Sequence, residues 1–136
     1  MTLDEIYESF LWDSSYNEDE YEAKIADGIN EGKTYRYMYP FIQPILPISG
    51  SAIIWEPCAR IVASKTNEEL APYLYELFKW IQDLNWPGAE TIFNRLLDIP
   101  FPLLEEQYNR CKQEAEKSND FGWVLALKAF KEQAKP

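Results

Sequence analysis

The stretch from Thr66 to Asp98 constrains the fold more than any other part of the chain. Thr66 is followed three residues later by Glu69, which is the spacing of a capping box, where hydroxyl and carboxylate each satisfy a backbone N–H of the first helical turn. Apolar residues then recur at helical spacing and form one stripe: Leu70, Tyr73, Leu74, Leu77, Ile81 and Leu84. The pattern predicts a long amphipathic helix that buries this stripe.

A polar corner follows at residues 82–87, where the sequence reads Gln82-Asp83-Leu84-Asn85-Trp86-Pro87. Asn caps helix starts well and Pro is tolerated in a first helical turn, so a second helix is predicted to begin at this corner. Its inner face would carry Ala89, Ile92, Phe93, Leu96 and Leu97. Because the connection is short, the two helices are predicted to lie antiparallel.

Comparable patterns extend over the rest of the chain. Capping-box spacing at Thr2 and Asn17 predicts a short first helix and an acidic second helix that stops near Gly32. Residues 33–49 are rich in aromatics and prolines and favour a short, proline-interrupted helix, although alternating tyrosines also fit a strand. Pro57 either sits in the first turn of the next helix or kinks a longer one. Two final helices are predicted around Pro100, Pro102 and the run after Asp120.

Three tryptophans indicate a repeat with spacings of 31 and 37 residues. Taking Trp55, Trp86 and Trp123 as register marks, the residue three positions on is small each time, and the pairs six and seven positions on are apolar. Periods of this length are typical of helix-pair repeats. The fold predicted is therefore all-α, with antiparallel helix pairs stacked as a short HEAT-like α-solenoid; an irregular helical bundle is the alternative. The three tryptophans are interpreted as core wedges rather than a ligand cage.

The segment Trp80-Ile81-Gln82-Asp83-Leu84-Asn85-Trp86-Pro87, with Asn119-Asp120 and Trp123 further on, resembles the hallmark of a small bacterial family of unknown function with HEAT-like helical repeats. That hallmark reads Trp-(Leu/Ile)-Gln-Asp-x-Asn-Trp-Pro, and the resemblance covers about residues 66–134. It implies a fold and no activity, since no catalytic residues belong to the pattern.

Length and charge favour one domain over residues 1–136, with an acidic helical part (1–32), a Pro- and aromatic-rich connection (33–50) and helical repeats (51–136). The formal net charge is −10, and residues 1–30 account for −8 of it with nine acids and one lysine. Such a field repels nucleic acid and anionic membranes and accelerates encounter with a basic protein. No run of 18 apolar residues occurs and no signal peptide is recognisable, so a cytoplasmic protein is expected.

Several chemistries are excluded by residue types alone. The chain has no histidine, which removes Ser–His–Asp and Cys–His hydrolases and His-ligated metal sites. The glycines at 28 and 32 are one residue too close for a P-loop, and the run from Asp13 to Lys24 lacks the glycine and final glutamate of a calcium loop. Cys58 and Cys111 are expected to be buried thiols. No cofactor or metal is expected.

Two function classes remain open after these exclusions. The first is a non-enzymatic protein-binding module, in concrete form an immunity-type inhibitor of a basic toxin. The alternative is a carboxylate-only enzyme that depends on a divalent metal, using acids such as Glu68-Glu69 or Glu105-Glu106, although adjacent acids in a first helical turn usually complement the helix dipole. The candidate partner-binding residues are Asp13, Glu18, Asp19, Glu22, Gln82, Asp83 and Asn85, of which the last three are otherwise explained as helix caps.

Overall fold

A computed structural model describes residues 1–43 and 52–136, and within these ranges the chain is helical with no strand. This confirms the all-α prediction. The helices are α1 (Leu3–Ser9), α2 (Glu18–Gly32), α3 (Trp55–Ala63), α4 (Asn67–Leu70), α5 (Leu74–Trp80), α6 (Ala89–Leu97), α7 (Phe101–Lys117) and α8 (Phe121–Gln133). Short 3-10 turns cover Tyr39–Phe41, Ala52–Ile54 and Ala71–Tyr73. In these two ranges none of the helices has the length and apolar content needed to cross a bilayer.

The helices pack in pairs, and their neighbours follow a regular order. α3 lies against α6 and α6 against α8, while α5 packs on α7 and α7 on α8. α1 and α2 pack on each other, and α2 packs on α3. Paired packing is therefore confirmed, whereas a solenoid stack remains a prediction.

The starts of α1, α2 and α4 are where the sequence predicted them, because their signals are local. Thr2 and Glu5 form a complete capping box at α1, and Thr66 and Glu69 form another at α4. Asn17 caps α2 by accepting from the backbone N–H of Glu20 at 2.8 Å. Each cap satisfies backbone donors that the first helical turn leaves without a partner.

The long helix predicted from Thr66 to Leu84 is wrong. The chain forms α4, a 3-10 turn over Ala71–Tyr73, and then α5, which ends at Trp80. Pro72 is the physical reason, because it lacks the N–H of the helical hydrogen-bond ladder and its ring clashes with the preceding turn. Leu84, predicted to be in the buried stripe, is 44% exposed.

Two other proline positions are resolved by the structure. Pro57 is the third residue of α3, so it sits in the first turn and does not kink a longer helix. In the connection predicted to be a short helix, Tyr39–Phe41 forms a 3-10 turn with Pro40 at its start. Residues 44–51, which include the other two prolines of that prediction, lie outside the described residues.

The core is built largely from aromatic rings that meet edge to face. The ring of Phe78 lies 5.3 Å from that of Phe130 and 5.9 Å from that of Tyr108, at steep interplanar angles. Trp123 is buried and donates its indole N–H to the Phe78 carbonyl at 3.1 Å. The core role of Trp123 is thereby confirmed. Trp55 and Trp86 are only half-buried and pack edge to face at 5.7 Å.

The N-terminal helices are fixed closely to the rest of the chain. A Cβ at Gly32 of α2 would lie 2.3 Å from Cδ1 of Ile61, so only glycine permits this approach of α2 to α3. The buried Lys65 donates from Nζ to the carbonyls of Lys33 and Tyr35, both at 2.7 Å. These contacts set the position of α2, the most acidic helix, against α3.

Candidate functional site

The acidic face of α2 begins with its N-cap. Asn17 starts the helix, and Glu18, Asp19 and Glu20 occupy its first turn, where carboxylates complement the positive end of the helix dipole. Glu18, Asp19 and Glu22 are all exposed. The density of acids and the cap at Asn17 are both local features of the sequence. The structure agrees with the predicted start of this acidic helix.

The one lysine of α2 is held away from these acids. Lys24 donates to the Tyr16 hydroxyl at 2.6 Å, and its ammonium lies 4.5 Å from the centre of the Tyr16 ring. In the part of the chain that the structure describes, the acids of α2 form a single ion pair, between Glu31 and the N-terminal amine at 3.4 Å. Glu18, Asp19 and Glu22 therefore present uncompensated negative charge.

A groove of about 680 Å³ runs between α2 and α3. Its floor is apolar, with Tyr21, Ile25 and Ile29 along one face of α2. Glu18 and Glu22 line the same face one helical turn apart, and two cations, Arg60 of α3 and Lys33, line the groove as well. The groove therefore combines apolar contact with the acids at the start of α2 and with the cations further along.

Asp13 has a different position and a structural role. It lies in the loop between α1 and α2, where Oδ1 accepts from the backbone N–H of Ser15 at 2.9 Å. This hydrogen bond lowers the pKa of Asp13. Neither Asp13 nor Asp19 lines the groove, so of the four predicted N-terminal residues only Glu18 and Glu22 do.

The polar corner between α5 and α6 is a tight, internally bonded turn. Asp83 Oδ1 accepts from the backbone N–H of Asn85 at 2.8 Å, and the indole N–H of Trp80 donates to the Pro87 carbonyl at 3.1 Å. Asp83 thus fixes the turn. The prediction that Asn85 caps the next helix and that Pro87 lies in its first turn is wrong.

Gly88 is the N-cap of α6, with a left-handed φ of +81°. A Cβ there would lie 2.7 Å from the Ala59 Cβ and 3.0 Å from the Trp55 carbonyl oxygen. Glycine is the residue that tolerates both the conformation and the close approach to α3. It therefore takes the place that Asn85 was predicted to have.

Beside the corner is a second concavity of about 540 Å³, which we call the corner hollow. It is lined by Gln82, Asp83, Leu84, Trp86, Asp120, Gly122, Leu125 and Ala126. Its walls are the corner itself and the first turns of α8. Two large apolar side chains in it are open to solvent, since Leu84 is 44% and Leu125 is 65% exposed. Gln82 and Asp83, two of the predicted partner-binding residues, both line this hollow.

A third concavity joins the other two. Arg60 lines both this space and the α2–α3 groove, whereas Leu84 and Trp86 line both this space and the corner hollow. Asn85 is part of its wall. We call the three adjoining concavities the binding track. It contacts five of the seven predicted site residues and leaves out Asp13 and Asp19.

Across 1–43 and 52–136 no three His, Cys, Asp or Glu side chains are grouped so that they could hold a metal ion. Burial raises the pKa of Cys58 and of Cys111 to about 12, so both thiols are protonated near neutral pH. Glu68 and Glu69 lie in the first turn of α4 as predicted, but Glu105 and Glu106 lie in the second turn of α7.

Sequence reasoning missed the residues that connect these surfaces. Arg60 bonds Glu56 at 3.1 Å, and Thr91 of α6 donates to the same Glu56 oxygen at 3.2 Å. Gly122 and Leu125 of α8 line the same hollow as Gln82, although Gly122 follows Gln82 by 40 residues in the sequence. The spacing of Arg60 four residues after Glu56 is one at which side chains meet on a helix, and it is a signal that the sequence analysis did not use; no local signal shows which groove that pair borders.

These features define an all-α protein whose surface carries an acidic helix and an adjoining track of hollows. The family model described as "Domain of unknown function (DUF5071)" matches residues 57–134, more than half of the chain, and the protein belongs to that family. A family of unknown function was the prediction, and the match confirms it at that level. α1 and α2 lie outside the matched range, while the corner lies inside it. No curated protein and no solved structure matches the chain.

Proposed function

We propose that the protein is a non-enzymatic protein-binding module that takes a basic partner protein on the face of α2. The observation that carries the proposal is the uncompensated charge of this helix, where Glu18, Asp19 and Glu22 are exposed without ion pairs among the described residues. In its concrete form the module is an immunity-type inhibitor that neutralises a basic toxin.

Charge determines the kind of partner. Residues 1–30 carry −8 of the net −10, so the potential around α2 is strongly negative. Such a field accelerates encounter with a positively charged protein by roughly 10- to 1,000-fold and weakens as salt is added. It disfavours nucleic acid and anionic lipid, which are therefore not the proposed partners.

The helical framework supports a binding role. α3, α6 and α8 follow one another as neighbours, with α5 and α7 beside them, which is the adjacency expected of stacked HEAT-like pairs. Arg95 of α6 donates to the carbonyls of Ala63 and Lys65 at 3.1 and 2.7 Å and so links successive helices. A stack of this kind presents a rigid surface to a partner without a large ordering cost on association.

Affinity capture at two salt concentrations tests the proposal. We expect the tagged wild-type protein to retain a basic protein at low salt and to lose it at high salt. The variant Asp19→Lys/Glu22→Lys should lose it at low salt, because each substitution reverses a charge on the proposed face.

The matched control is Glu105→Lys/Glu106→Lys, which makes the same change in net charge on exposed residues of α7 away from the binding track. This control should retain the partner. Equal loss in both variants would indicate a general charge effect, and no salt-sensitive basic partner for the wild type would refute the proposal. For the immunity form, the captured protein should be toxic when expressed alone and harmless when co-expressed with the wild type.

A further inference from the structure

We propose that the corner hollow receives an apolar side chain of the same basic partner, so that α2 and the corner bind one polypeptide along the binding track. This inference rests on the proposed function and adds the chemistry of the partner. The partner segment would carry Leu- or Phe-type residues next to Lys or Arg.

Gly122 is the first reason to propose that the corner hollow receives a side chain of the partner. Gly28, Gly32 and Gly88 each lie where a Cβ would come within 3 Å of a neighbouring atom, so packing explains them. A Cβ at Gly122 would instead meet its nearest atoms, Asp120 Oδ1 and the Gln82 carbonyl oxygen, at the ordinary distance of 3.7 Å. Gly122 is the second residue of α8, and the absence of a Cβ there leaves this wall of the hollow open to an incoming side chain.

The exposure of apolar side chains at the corner hollow is the second reason to expect an apolar occupant. Leu84 and Leu125 line the hollow at 44% and 65% exposure, and Phe121, one helical turn before Leu125 on α8, is 71% exposed. Exposed apolar side chains that share one concavity, as Leu84 and Leu125 do, are a feature of interaction sites.

Charge selects the occupant. Asp83 and Asp120 flank the hollow, and each is held by a backbone N–H, from Asn85 at 2.8 Å and from Trp123 at 3.1 Å. Two fixed carboxylates beside an apolar floor complement a segment in which basic and apolar residues are neighbours. A second copy of this chain would instead bring like charges together at a net charge of −10.

Shared lining residues connect the corner hollow to the groove beside α2. Arg60 borders the α2–α3 groove and the middle concavity, and Leu84 and Trp86 border the middle concavity and the corner hollow. A segment that leaves α2 along this surface therefore passes Arg60 and then Leu84 and Trp86 before it reaches the corner hollow. Two weak contacts on one polypeptide reinforce each other through their high effective concentration.

Two synthetic peptides separate this inference from the proposed function. One is a helical peptide of Lys and Leu, and the other is its Lys and Ser counterpart of equal length and charge. Titration calorimetry should give tighter binding of the Lys/Leu peptide to the wild type. Gly122→Leu, which fills the hollow, should weaken the Lys/Leu peptide by roughly tenfold and leave the Lys/Ser peptide unchanged. Gly122→Ala is the matched control, since a single methyl leaves most of the space open.

Further variants decide between the corner inference and the proposed function. Leu84→Ser/Leu125→Ser should reproduce the loss seen with Gly122→Leu, while Glu18→Lys/Glu22→Lys should weaken both peptides. If both peptides bind equally and neither hollow variant matters, the corner inference is refuted and the proposed function stands. If neither peptide binds, both fail. Self-association of the free protein that Gly122→Leu abolishes would assign the hollow to a second copy and overturn the inference. Thermal unfolding of every variant confirms that each is folded.

Discussion

Replacing Gly88 by alanine tests the corner more sharply than any other single change. Gly88 has a φ of +81°, and a Cβ would lie 2.7 Å from the Ala59 Cβ and 3.0 Å from Cζ2 of Trp80. A left-handed conformation costs a residue with a side chain about 1–2 kcal/mol. Overpacking of a close helix contact adds about 1–3 kcal/mol, because neither α3 nor the indole can move freely.

The expected loss for Gly88→Ala is therefore about 2–5 kcal/mol, a large part of the roughly 5–15 kcal/mol that stabilises a typical domain. Urea unfolding followed by tryptophan fluorescence and far-UV circular dichroism measures it. Tm should fall by about 8–20 °C for a chain of this size.

Gly122→Ala is the matched control for Gly88→Ala. The added methyl at Gly122 meets only ordinary contacts at 3.7 Å. We expect it to leave stability unchanged or to raise it by up to about 1 kcal/mol. If Gly88→Ala costs less than about 0.5 kcal/mol, or if the two variants behave alike, the close approach of the corner to α3 is wrong.

Three further predictions follow from caps, acids and core packing. Thr66→Ala removes the side-chain cap of α4 and should cost about 1 kcal/mol in urea unfolding, and a loss near zero would contradict the capping box seen there. The hydrogen bonds of the same capping box lower the pKa of Glu69 below its ordinary 4.5. The stability that the ionised Glu69 contributes is therefore complete above pH 4.5 and is lost as the pH falls through the folded-state pKa. Glu69→Gln should flatten the fall of Tm between about pH 6 and pH 3. Cys58 and Cys111 are buried with pKa values raised to about 12, so a thiol reagent at pH 8 should modify neither in the native protein and both in urea.

Local chemistry accounts for what the sequence predicted of the fold. The starts of α1, α2 and α4 depend on a cap residue and a partner three positions on, and Thr2, Asn17 and Thr66 showed both. The length of the Thr66 helix was wrong because Pro72 interrupts a run whose apolar spacing continues past it. The start of α6 was also wrong, because the need for Gly88 comes in part from Ala59 and Trp55, which are distant in sequence.

In the candidate site, too, local sequence identified some residues and only the packing of the fold revealed the others. Density of charge alone predicted that Glu18 and Glu22 are exposed, and the motif singled out Gln82, Asp83 and Asn85. The spaces between these residues depend on Arg60 and on Gly122, which are brought to them only by the packing of α3 and α8. No pattern along the chain contains that information, because it arises from contacts between distant segments.

The charge of α2 is most directly tested by the salt dependence of partner binding. The dissociation constant of the captured basic protein should be measured over a series of salt concentrations for the wild type, for Asp19→Lys/Glu22→Lys and for Glu105→Lys/Glu106→Lys. A binding role for α2 predicts that affinity falls with salt for the wild type and the α7 control, and that the α2 variant binds roughly tenfold more weakly with a shallower slope. Equal affinities and equal slopes for all three proteins would contradict it.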